Sequence, residues 1–367
     1  MPSFDEHLSE PDITIDQYVR RTQIALGQTL TRRRAVYLDT KFWILLRDAD
    51  RNAGTLKNAE LLDMLRRGVA EHVLFCPISE STFVELMKQS DPASRLATAT
   101  LIDELSLSTT LLQEDMRIST EIAHLMYANS GHTNLHPLEH LVWCKLSYVL
   151  GIMHPTNTMF DSATERAIQK SFFDHMWTIS LSEMITIIGD GEMPGTDLSN
   201  IATTLNMGIA AHANELRSFK QSYAAEARGI VDLVGNTTID VMMSMARDRG
   251  ITLAQPTPEE RRKSENGFKN LLAFALEHEK AHETLRTMHI LASLHASLRW
   301  NKGRKFKGND LFDFHHAAAA LAYCDAFFTE KSLGTMVTQS NLSLSKLYNC
   351  HVVADVEEAI NWLLSLD

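Results

Sequence analysis

Strands and helices alternate in two separate parts of this sequence, and the long interval between them favours helices almost throughout. In the first part, Ala35–Asp39 and His72–Cys76 are short apolar strands that are each followed by a helical pattern. In the last part, Asn309–Tyr323 is a helix, and Ala326–Thr329 and Cys350–Ala354 are strands. Such alternation predicts a parallel sheet with crossover helices. One sheet must therefore collect strands from opposite ends of the chain.

The middle of the chain predicts an all-helical insertion with no internal repeat of fixed period. The candidate helices are Leu96–Leu105, Met116–Met126, Leu138–Leu150, Ala163–Ile188, Leu198–Arg228, Ile230–Arg249 and Gly267–Arg299. A further helix is predicted near the N-terminus, over Ile13–Leu30. We therefore expect a helical extension at 1–34, an α/β domain at 35–93 and 300–367, and the insertion at 94–299.

Composition places the chain among ordinary globular proteins, with 44% hydrophobic and 22% charged residues. A net charge of −11 excludes a generic polyanion binder, so any contact with nucleic acid must use local basic patches. The four cysteines form no CxxC pair, which excludes a zinc ribbon and favours a reduced, cytoplasmic protein. The acidic N-terminus differs from a secretory signal, and no apolar run is long enough to cross a membrane.

Carboxylates stand where the predicted strands and helices begin or end. They are Asp39, Glu80, Glu85, Asp310, Asp313, Asp325 and Glu330. In a parallel sheet the carboxyl ends of the strands share one edge, and ligands bind in the crevice there. Carboxylates gathered at that edge repel one another unless a hard cation such as Mg²⁺ or Mn²⁺ lies between them. One or two such ions would orient a water and stabilise the leaving oxygen of a phosphodiester.

The segments that carry these acids resemble a PIN domain. They read AVYLDTKFWILL, ISESTFVELMK and NDLFDFHHAAAALAYCDAFFTEKSL, and a strand and a helix follow at the C-terminus. The resemblance covers roughly 35–90 and 305–367, and the helical middle is far longer than a minimal PIN domain carries. It implies an α/β, three-layer fold with a central parallel sheet. It also implies a metal-dependent nuclease that usually cleaves RNA, as in the toxin ribonucleases of toxin–antitoxin systems.

Three acids of the chain match the acids of the PIN family in order. Asp39 matches the first acid, and Glu85 matches the second better than Glu80 does. Asp313 matches the third, with Asp310 close by. The resemblance therefore implies that Asp39, Glu85 and Asp313 are the principal catalytic residues and ligands of Mg²⁺ or Mn²⁺, with water rather than a side chain as the nucleophile.

The fourth acid departs from the family pattern. Family members usually place an Asp directly after the Thr that ends the strand, whereas here Thr329 is followed by Glu330. Either Glu330 or Asp325 would substitute for it. Together with Asp310, these two acids are candidates for outer ligands or for ligands of a second metal.

Each acid also has a purely structural interpretation. Asp39 can cap the helix that follows it, and Asp310 and Asp313 can form the N-cap and N3 positions of one capping arrangement. Glu80 lies in a first helical turn and suits the helix dipole, which is the interpretation we prefer for it. The histidines His315 and His316, beside the acids, are interpreted as packed or solvent-facing rather than as ligands.

A basic segment immediately precedes Asp310 and is the predicted contact with nucleic acid. Its candidate residues are Arg299, Trp300, Lys302, Arg304, Lys305 and Lys307, with Phe306 as a second aromatic side chain. Cations suit a phosphate backbone, and aromatic rings can stack on unpaired bases. The alternative is a flexible, solvated loop. A further basic run, Arg32 to Arg34, is interpreted chiefly as a solvated face.

A competing motif is HEKAH at 278–282, which fits the H-E-x-x-H pattern of zinc hydrolases. On one helix, His278 and His282 would share a face and bind zinc, with Glu279 as general base. The usual third ligand is missing, since positions 285 and 288 are Leu and Met. The preferred alternative is a charged helical face with surface histidines.

The sequence as a whole therefore predicts a PIN-like endoribonuclease that acts on single strands or loops of RNA. One alternative is a module that keeps the fold, has lost activity and binds RNA or protein. The helical insertion is the expected surface for a protein partner or an antitoxin. The sequence is also compatible with an oligomer. No membrane contact is expected.

Overall fold

The computed structural model describes residues 2–131, 134–189, 198–211, 218–248, 256–278, 281–301 and 303–366. The strands are β1 (Arg34–Leu38), β2 (Leu74–Phe75), β3 (Thr109–Leu111), β4 (Trp143–Lys145), β5 (Ala326–Phe328) and β6 (His351–Val353). The helices are α1 (Phe4–Ser9), α2 (Ile15–Leu30), α3 (Thr40–Asp50), α4 (Leu56–Ala70), α5 (Glu80–Met87), α6 (Pro92–Ser106), α7 (Glu114–Asn129), α8 (Ser162–Thr178), α9 (Leu181–Ile188), α10 (Ser199–Ala211), α11 (Phe219–Asp248), α12 (Pro258–Leu276), α13 (Arg286–Trp300), α14 (Gly308–Tyr323), α15 (Lys331–Thr338), α16 (Leu344–Leu347) and α17 (Val356–Leu364). Two short 3₁₀ turns flank β4.

A parallel four-stranded sheet in the order β2-β1-β5-β6 joins the two ends of the chain. The central pairing is between β1 and β5, with Tyr37 opposite Phe327. This sheet confirms the predicted α/β class and the convergence of distant segments on one sheet.

Both faces of the sheet are covered by helices, as buried parallel strands require. Tyr37 and Phe327 point to one face, where they belong to a core cluster with the alanines of α14. Leu38 and Phe328 point to the other face and pack in a cluster that includes side chains of α3, α4, α6 and α17. The alternation follows from the two-residue period of a strand.

Two strands interrupt the interval that the sequence predicts to be all-helical, so that prediction is wrong there. β3 and β4 form an antiparallel pair, and Thr110 of β3 also bridges Ile78 beyond the end of β2. The predicted helix Leu138–Leu150 is instead the segment that contains β4 and its two 3₁₀ turns. Three-residue strands depend on their partners for hydrogen bonds, and tertiary pairing overrides the local helical pattern.

Several predicted helices also differ in their bounds. The pattern Ala163–Ile188 is divided into α8 and α9, because Ser180 and Glu183 form a capping box that starts α9. Gly229, expected as a boundary, lies inside the continuous helix α11. The pattern Gly267–Arg299 is likewise divided, since α12 ends at Leu276 and α13 begins at Arg286.

The helical part has a core of its own and shares one helix with the α/β part. Ile122 of α7, Val231 of α11 and Leu272 of α12 form a cluster with Met288 of α13. Other residues of α13, such as Leu294, pack instead in the cluster of the sheet. The shared helix α13 therefore ties the two cores together.

All four cysteines are free and buried, and burial raises the pKa of each thiol. None of the helices in the described ranges is both long and apolar enough to cross a membrane.

A buried histidine at the junction of the helical part and the sheet is held neutral by its surroundings. His289 is 6% exposed, its Nδ1 lies 2.7 Å from the Tyr348 hydroxyl, and its ring stacks on His282 at a centroid distance of 3.6 Å. Burial, and secondly the charge of His282, lower the pKa of His289 to about 3. Between this value and the ordinary 6.5, the unfolded chain therefore binds a proton that the folded chain does not.

We predict that the free energy of unfolding falls as the pH is lowered from 6.5 toward 4, in part through His289. Since the unfolded state binds the extra proton, one such group contributes up to about 1.4 kcal/mol per pH unit. His289→Gln should make the pH dependence shallower by about one proton in urea unfolding followed at several pH values. His278→Gln removes a solvent-facing imidazole as the control, and parallel curves for wild type and His289→Gln would refute the prediction.

Candidate active site

The topology creates a crevice at the carboxyl ends of β1 and β5. β1 pairs with β2 on one side and with β5 on the other, so the strand order runs outward in both directions from the β1–β5 pair. Asp39 directly follows β1, and its backbone N–H donates to the Phe328 carbonyl at 3.0 Å. Thr329 and Glu330 directly follow β5. Ligands of open parallel sheets bind at such a switch point, outside the carboxyl ends of the strands.

Asp39 is buried at the floor of this crevice. It is 7% exposed, and its Oδ1 accepts a hydrogen bond from the Phe42 N–H at 3.2 Å, which caps α3. The capping interpretation is therefore correct, and it engages one of the two carboxylate oxygens. Burial raises the pKa of Asp39, against the opposing charge of His316 and with a smaller contribution from Glu330.

Glu85 reaches the crevice from α5 and is oriented by two side chains. Its Oε2 lies 3.0 Å from His316 Nε2 and also accepts a hydrogen bond from the Thr40 hydroxyl. Burial alone would raise the pKa of Glu85, but the contact with His316 and that with Thr40 outweigh it, and the pKa is lowered. The nearby Lys88 acts in the same direction. Glu85 is thus held as a carboxylate.

Asp313 lies one turn inside α14 and is half-buried. Burial raises the pKa of Asp313 to about 7, His316 opposes this, and the charges of Glu330, Asp310 and Glu85 add to it. The charges of His316 and Glu330 act on both Asp313 and Asp39, which places these two carboxyl groups in one electrostatic environment. Acids that raise one another's pKa form a site where a cation would be stabilised.

A buried hydroxyl adjoins Asp39. Thr329 is fully buried, and its hydroxyl lies close enough to Asp39 to favour the ionised carboxylate. Across the described ranges, no group of three or more His, Cys, Asp or Glu side chains is arranged so that it could hold a metal ion.

Two other predicted acids have structural partners instead. Asp310 is the N3 residue of α14 and not its N-cap; its Oδ2 accepts from the Lys307 N–H at 2.7 Å, and its Oδ1 binds Arg304 at 2.5 Å. Asp325 lies at the opposite edge of the sheet, where it binds Arg34 at 2.7 Å and the Ala35 N–H at 2.9 Å. Because Asp325 precedes a parallel strand, it cannot reach the carboxyl edge, and its assignment as a metal ligand is wrong.

Glu80 belongs to a buried ion-pair network beside the crevice. Its Oε1 accepts from the Glu114 N–H at 2.8 Å, and its Oε2 lies 3.4 Å from the guanidinium of the fully buried Arg117. Glu114 in turn contacts His315 at 2.6 Å. These contacts agree with a structural role for Glu80. The ion pair with Arg117 stabilises the Glu80 carboxylate in addition to the helix dipole.

The basic segment is only partly available to a ligand. Arg299 is paired with Glu226 at 2.7 Å, and Phe306 is buried against Phe314 and His295. Arg304 is engaged by Asp310, as described above. Trp300 is 43% exposed, and Lys305 and Lys307 are exposed. Lys302 lies outside the described residues.

Sequence reasoning missed Tyr37 and the contact of His316 with the predicted acid Glu85. Tyr37, His316 and Glu85 form a chain of hydrogen bonds from the core of the sheet to the site, with 2.7 Å between the Tyr37 hydroxyl and His316 Nδ1. Lysines near the acids were also missed: Lys88, whose ammonium lies 3.6 Å from the centre of the Phe312 ring, and the exposed Lys41 and Lys331, which stand close after Asp39 and Glu330 in the chain. The signal for His316 was its spacing of three residues from Asp313 on one helical face.

The zinc motif does not meet its structural requirement. α12 ends at Leu276, so His278 and His282 do not share a helical face. His278 Nδ1 lies 2.7 Å from the Phe274 carbonyl, and His282 packs on His289. Glu279 lies outside the described residues. Without two ligands on one helix, the zinc-hydrolase interpretation loses its basis.

Comparisons with known proteins give no match: no family model, no curated protein and no solved structure is similar to this chain.

We predict that Tyr37→Phe destabilises the fold. The Tyr37 hydroxyl lies within hydrogen-bond distance of three buried groups: Ser79 at 2.6 Å, Thr82 at 3.0 Å and His316 at 2.7 Å. Its removal leaves them short of a partner and should lower the free energy of unfolding by about 1–3 kcal/mol in urea denaturation. Tyr148→Phe, which loses one long contact of 3.4 Å, is the matched control. Equal losses in the two variants would contradict the prediction.

Proposed function

We propose that this chain is a PIN-like, metal-dependent endoribonuclease whose active site is the crevice at the carboxyl ends of β1 and β5. The observation that carries the proposal is that the charges of His316 and Glu330 act on both Asp39 and Asp313, which come from distant segments, while His316 also contacts Glu85 at 3.0 Å. Acids that act on one another in a partly buried crevice are costly to a fold unless a ligand offsets their repulsion.

The donor set fits Mg²⁺ or Mn²⁺. It consists of carboxylate and hydroxyl oxygens, which are the ligands that hard divalent cations prefer. Mg²⁺ usually takes one or two protein carboxylates and completes its coordination with water and substrate phosphate, so a closed cage of three protein ligands is not required. Asp39 and Asp313 would hold the ion, with Glu85 and Glu330 as neighbours. Such an ion supplies charge stabilisation for the phosphodiester and a water of lowered pKa.

Asp39 and Glu85 would have different roles in the site. Asp39 is fixed by its capping bond to Phe42, so that its carboxylate is held in one orientation. Glu85 is held by Thr40 and His316 as an anion that can orient a water. The fixed orientation of both carboxylates lowers the reorganisation that the reaction requires.

RNA is the proposed substrate because cations and an exposed aromatic ring are available near the acids in an otherwise acidic chain. Lys88 acts on Glu85, and the exposed Lys41 and Lys331 stand close after Asp39 and Glu330 in the chain, so these lysines are the proposed contacts of the phosphates on either side of the scissile bond. Lys305 and the exposed Trp300 precede α14, and Trp300 can stack on an unpaired base. These contacts favour single strands or loops.

We predict that Asp39→Asn abolishes metal-dependent cleavage of RNA. Asn retains the capping oxygen but removes the charge, so kcat should fall by about two orders of magnitude or more while the fold is kept. Cleavage of a labelled single-stranded RNA with Mg²⁺ or Mn²⁺ is the measurement. Asp91→Asn is the matched control, because Asp91 is the N-cap of α6 and lies outside the crevice.

Two outcomes would count against this site. Cleavage that survives Asp39→Asn, or that is insensitive to chelation of divalent ions, would place the activity elsewhere or in a contaminant. Wild-type protein that binds RNA without cleaving it under any divalent ion would favour the binding module, for which the atypical Glu330 is the supporting observation.

We also predict that Lys88→Ala weakens the binding of substrate more than it slows the chemical step. Lys88 stands beside Glu85, and no carboxylate of the described residues is in ion-pair contact with it, so its loss should raise KM about three- to tenfold and change kcat less. The slope of log KM against log salt concentration should decrease by about one unit, which corresponds to the loss of one phosphate contact. Lys263→Ala, which removes an exposed lysine on α12, is the control. Equal changes of KM in the two variants would contradict the assignment of Lys88 as a phosphate contact.

A further inference from the structure

The amino edge of the sheet holds a second pocket whose charge is opposite to that of the crevice. It has a volume of about 520 Å³ and is lined by Arg32, Arg33, Arg34 and Arg286, against the carboxylates of Glu139 and Asp325. Four guanidinium groups against two carboxylates leave a formal excess of two positive charges. In a chain of net charge −11, the consecutive Arg32, Arg33 and Arg34 supply three of these groups, and the fold adds Arg286.

The arginines of the pocket are fixed to different extents. Arg34 is held by Asp325 at 2.7 Å, and Arg286 is held by Glu139 at 2.7 Å and by the Ala322 carbonyl at 2.9 Å. Arg33 contacts His72 at 2.7 Å. Each is thereby oriented, while a guanidinium has five N–H donors and keeps some of them for a ligand.

Arg32 differs from these three because it is exposed and has no side-chain partner in the described ranges. It stands in the turn between α2 and β1, at the mouth of the pocket. The pocket thus combines oriented guanidinium groups with one that is not engaged. Planar forks of this kind match the oxygens of phosphate in bidentate fashion.

The rest of the lining gives the pocket a floor on which a larger group can rest. Leu30, Phe75 and Trp143 are buried apolar side chains of the lining, and the exposed Asn349 stands at its margin. A volume of this size holds more than a free inorganic ion and is typical of sites for small molecules. The ligand class that fits is a phosphate monoester with an attached apolar or aromatic body.

We propose that this pocket, which we call the amino-edge pocket, binds the phosphate of a nucleotide, either free or at the end of an RNA chain. The crevice and the amino-edge pocket lie at opposite ends of the same strands, so the two sites bind separate groups. The proposal is independent of the nuclease activity, because it requires neither the acids nor a divalent ion.

The test is isothermal titration of the full chain carrying Asp39→Asn, in EDTA, with adenosine 5′-monophosphate as the probe. We expect binding that weakens with salt, and we expect adenosine without its phosphate to bind at least about tenfold more weakly. Arg32→Glu should weaken the binding of the nucleotide by about tenfold or more. Arg262→Glu, a reversal of an exposed arginine on α12, should change it less than about twofold.

The source of the phosphate is separated by short RNAs with and without a 5′-phosphate. Tighter binding of the phosphorylated RNA, lost in Arg32→Glu, assigns the pocket to RNA ends, whereas binding of the mononucleotide alone assigns it to free nucleotides. Absence of binding at millimolar nucleotide, equal binding of adenosine, or equal effects of the two charge reversals would each overturn the proposal. Since divalent ions and cleavage are excluded from the assay, its failure would leave the proposed nuclease untouched.

Discussion

The pairing of β1 with β5 is the interaction on which the rest of the molecule depends. Val36, Tyr37 and Leu38 pair with Ala326, Phe327 and Phe328, and all six side chains are fully buried. Nearly three hundred residues separate the two strands, and the entropic cost of bringing them together grows only slowly with that separation. Burial of apolar side chains on both faces offsets that cost, at about 25 cal/mol per Å² of apolar surface. Without this pairing Asp39 and Asp313 would have no common environment.

The same pairing connects the core to the proposed active site. Tyr37 projects from β1 into the face covered by α14, where its hydroxyl meets His316, and His316 meets Glu85 from α5. The backbone of Asp39 is tied to Phe328, so the first acid and the strand that precedes Glu330 move together. A site held by core residues in this way is pre-organised, because its side chains cannot shift without repacking the sheet.

Sequence patterns were sufficient for the strands of the parallel sheet and for the positions of Asp39 and Asp313, because these depend on local apolar runs and on the polarity of the strands. They were insufficient for β3 and β4, whose hydrogen bonds are made with each other and with Ile78. Asp325 illustrates a different failure. An acid that precedes a parallel strand lies at its amino end, so the strand direction alone would have separated it from Asp39. The partners of Arg299 and Arg304 lie on other segments or other turns, and no local pattern reveals which cations remain free.

The direction of parallel strands explains why the arginines of the amino-edge pocket and the acids of the crevice lie at opposite ends of the sheet. β1 runs from Arg34 to Leu38, and four steps of about 3.3 Å place its end residues roughly 13 Å apart. That distance exceeds the screening length of about 8 Å at physiological salt, so the arginines of the amino edge do not neutralise the acids of the carboxyl edge. Each edge must find its own counter-charge. At the amino edge, Asp325 and Glu139 offset part of the excess, whereas at the carboxyl edge His316 and Lys88 oppose the charges of the acids. A cation at one edge and an anion at the other is therefore the pair of ligands that the charge distribution of this sheet favours.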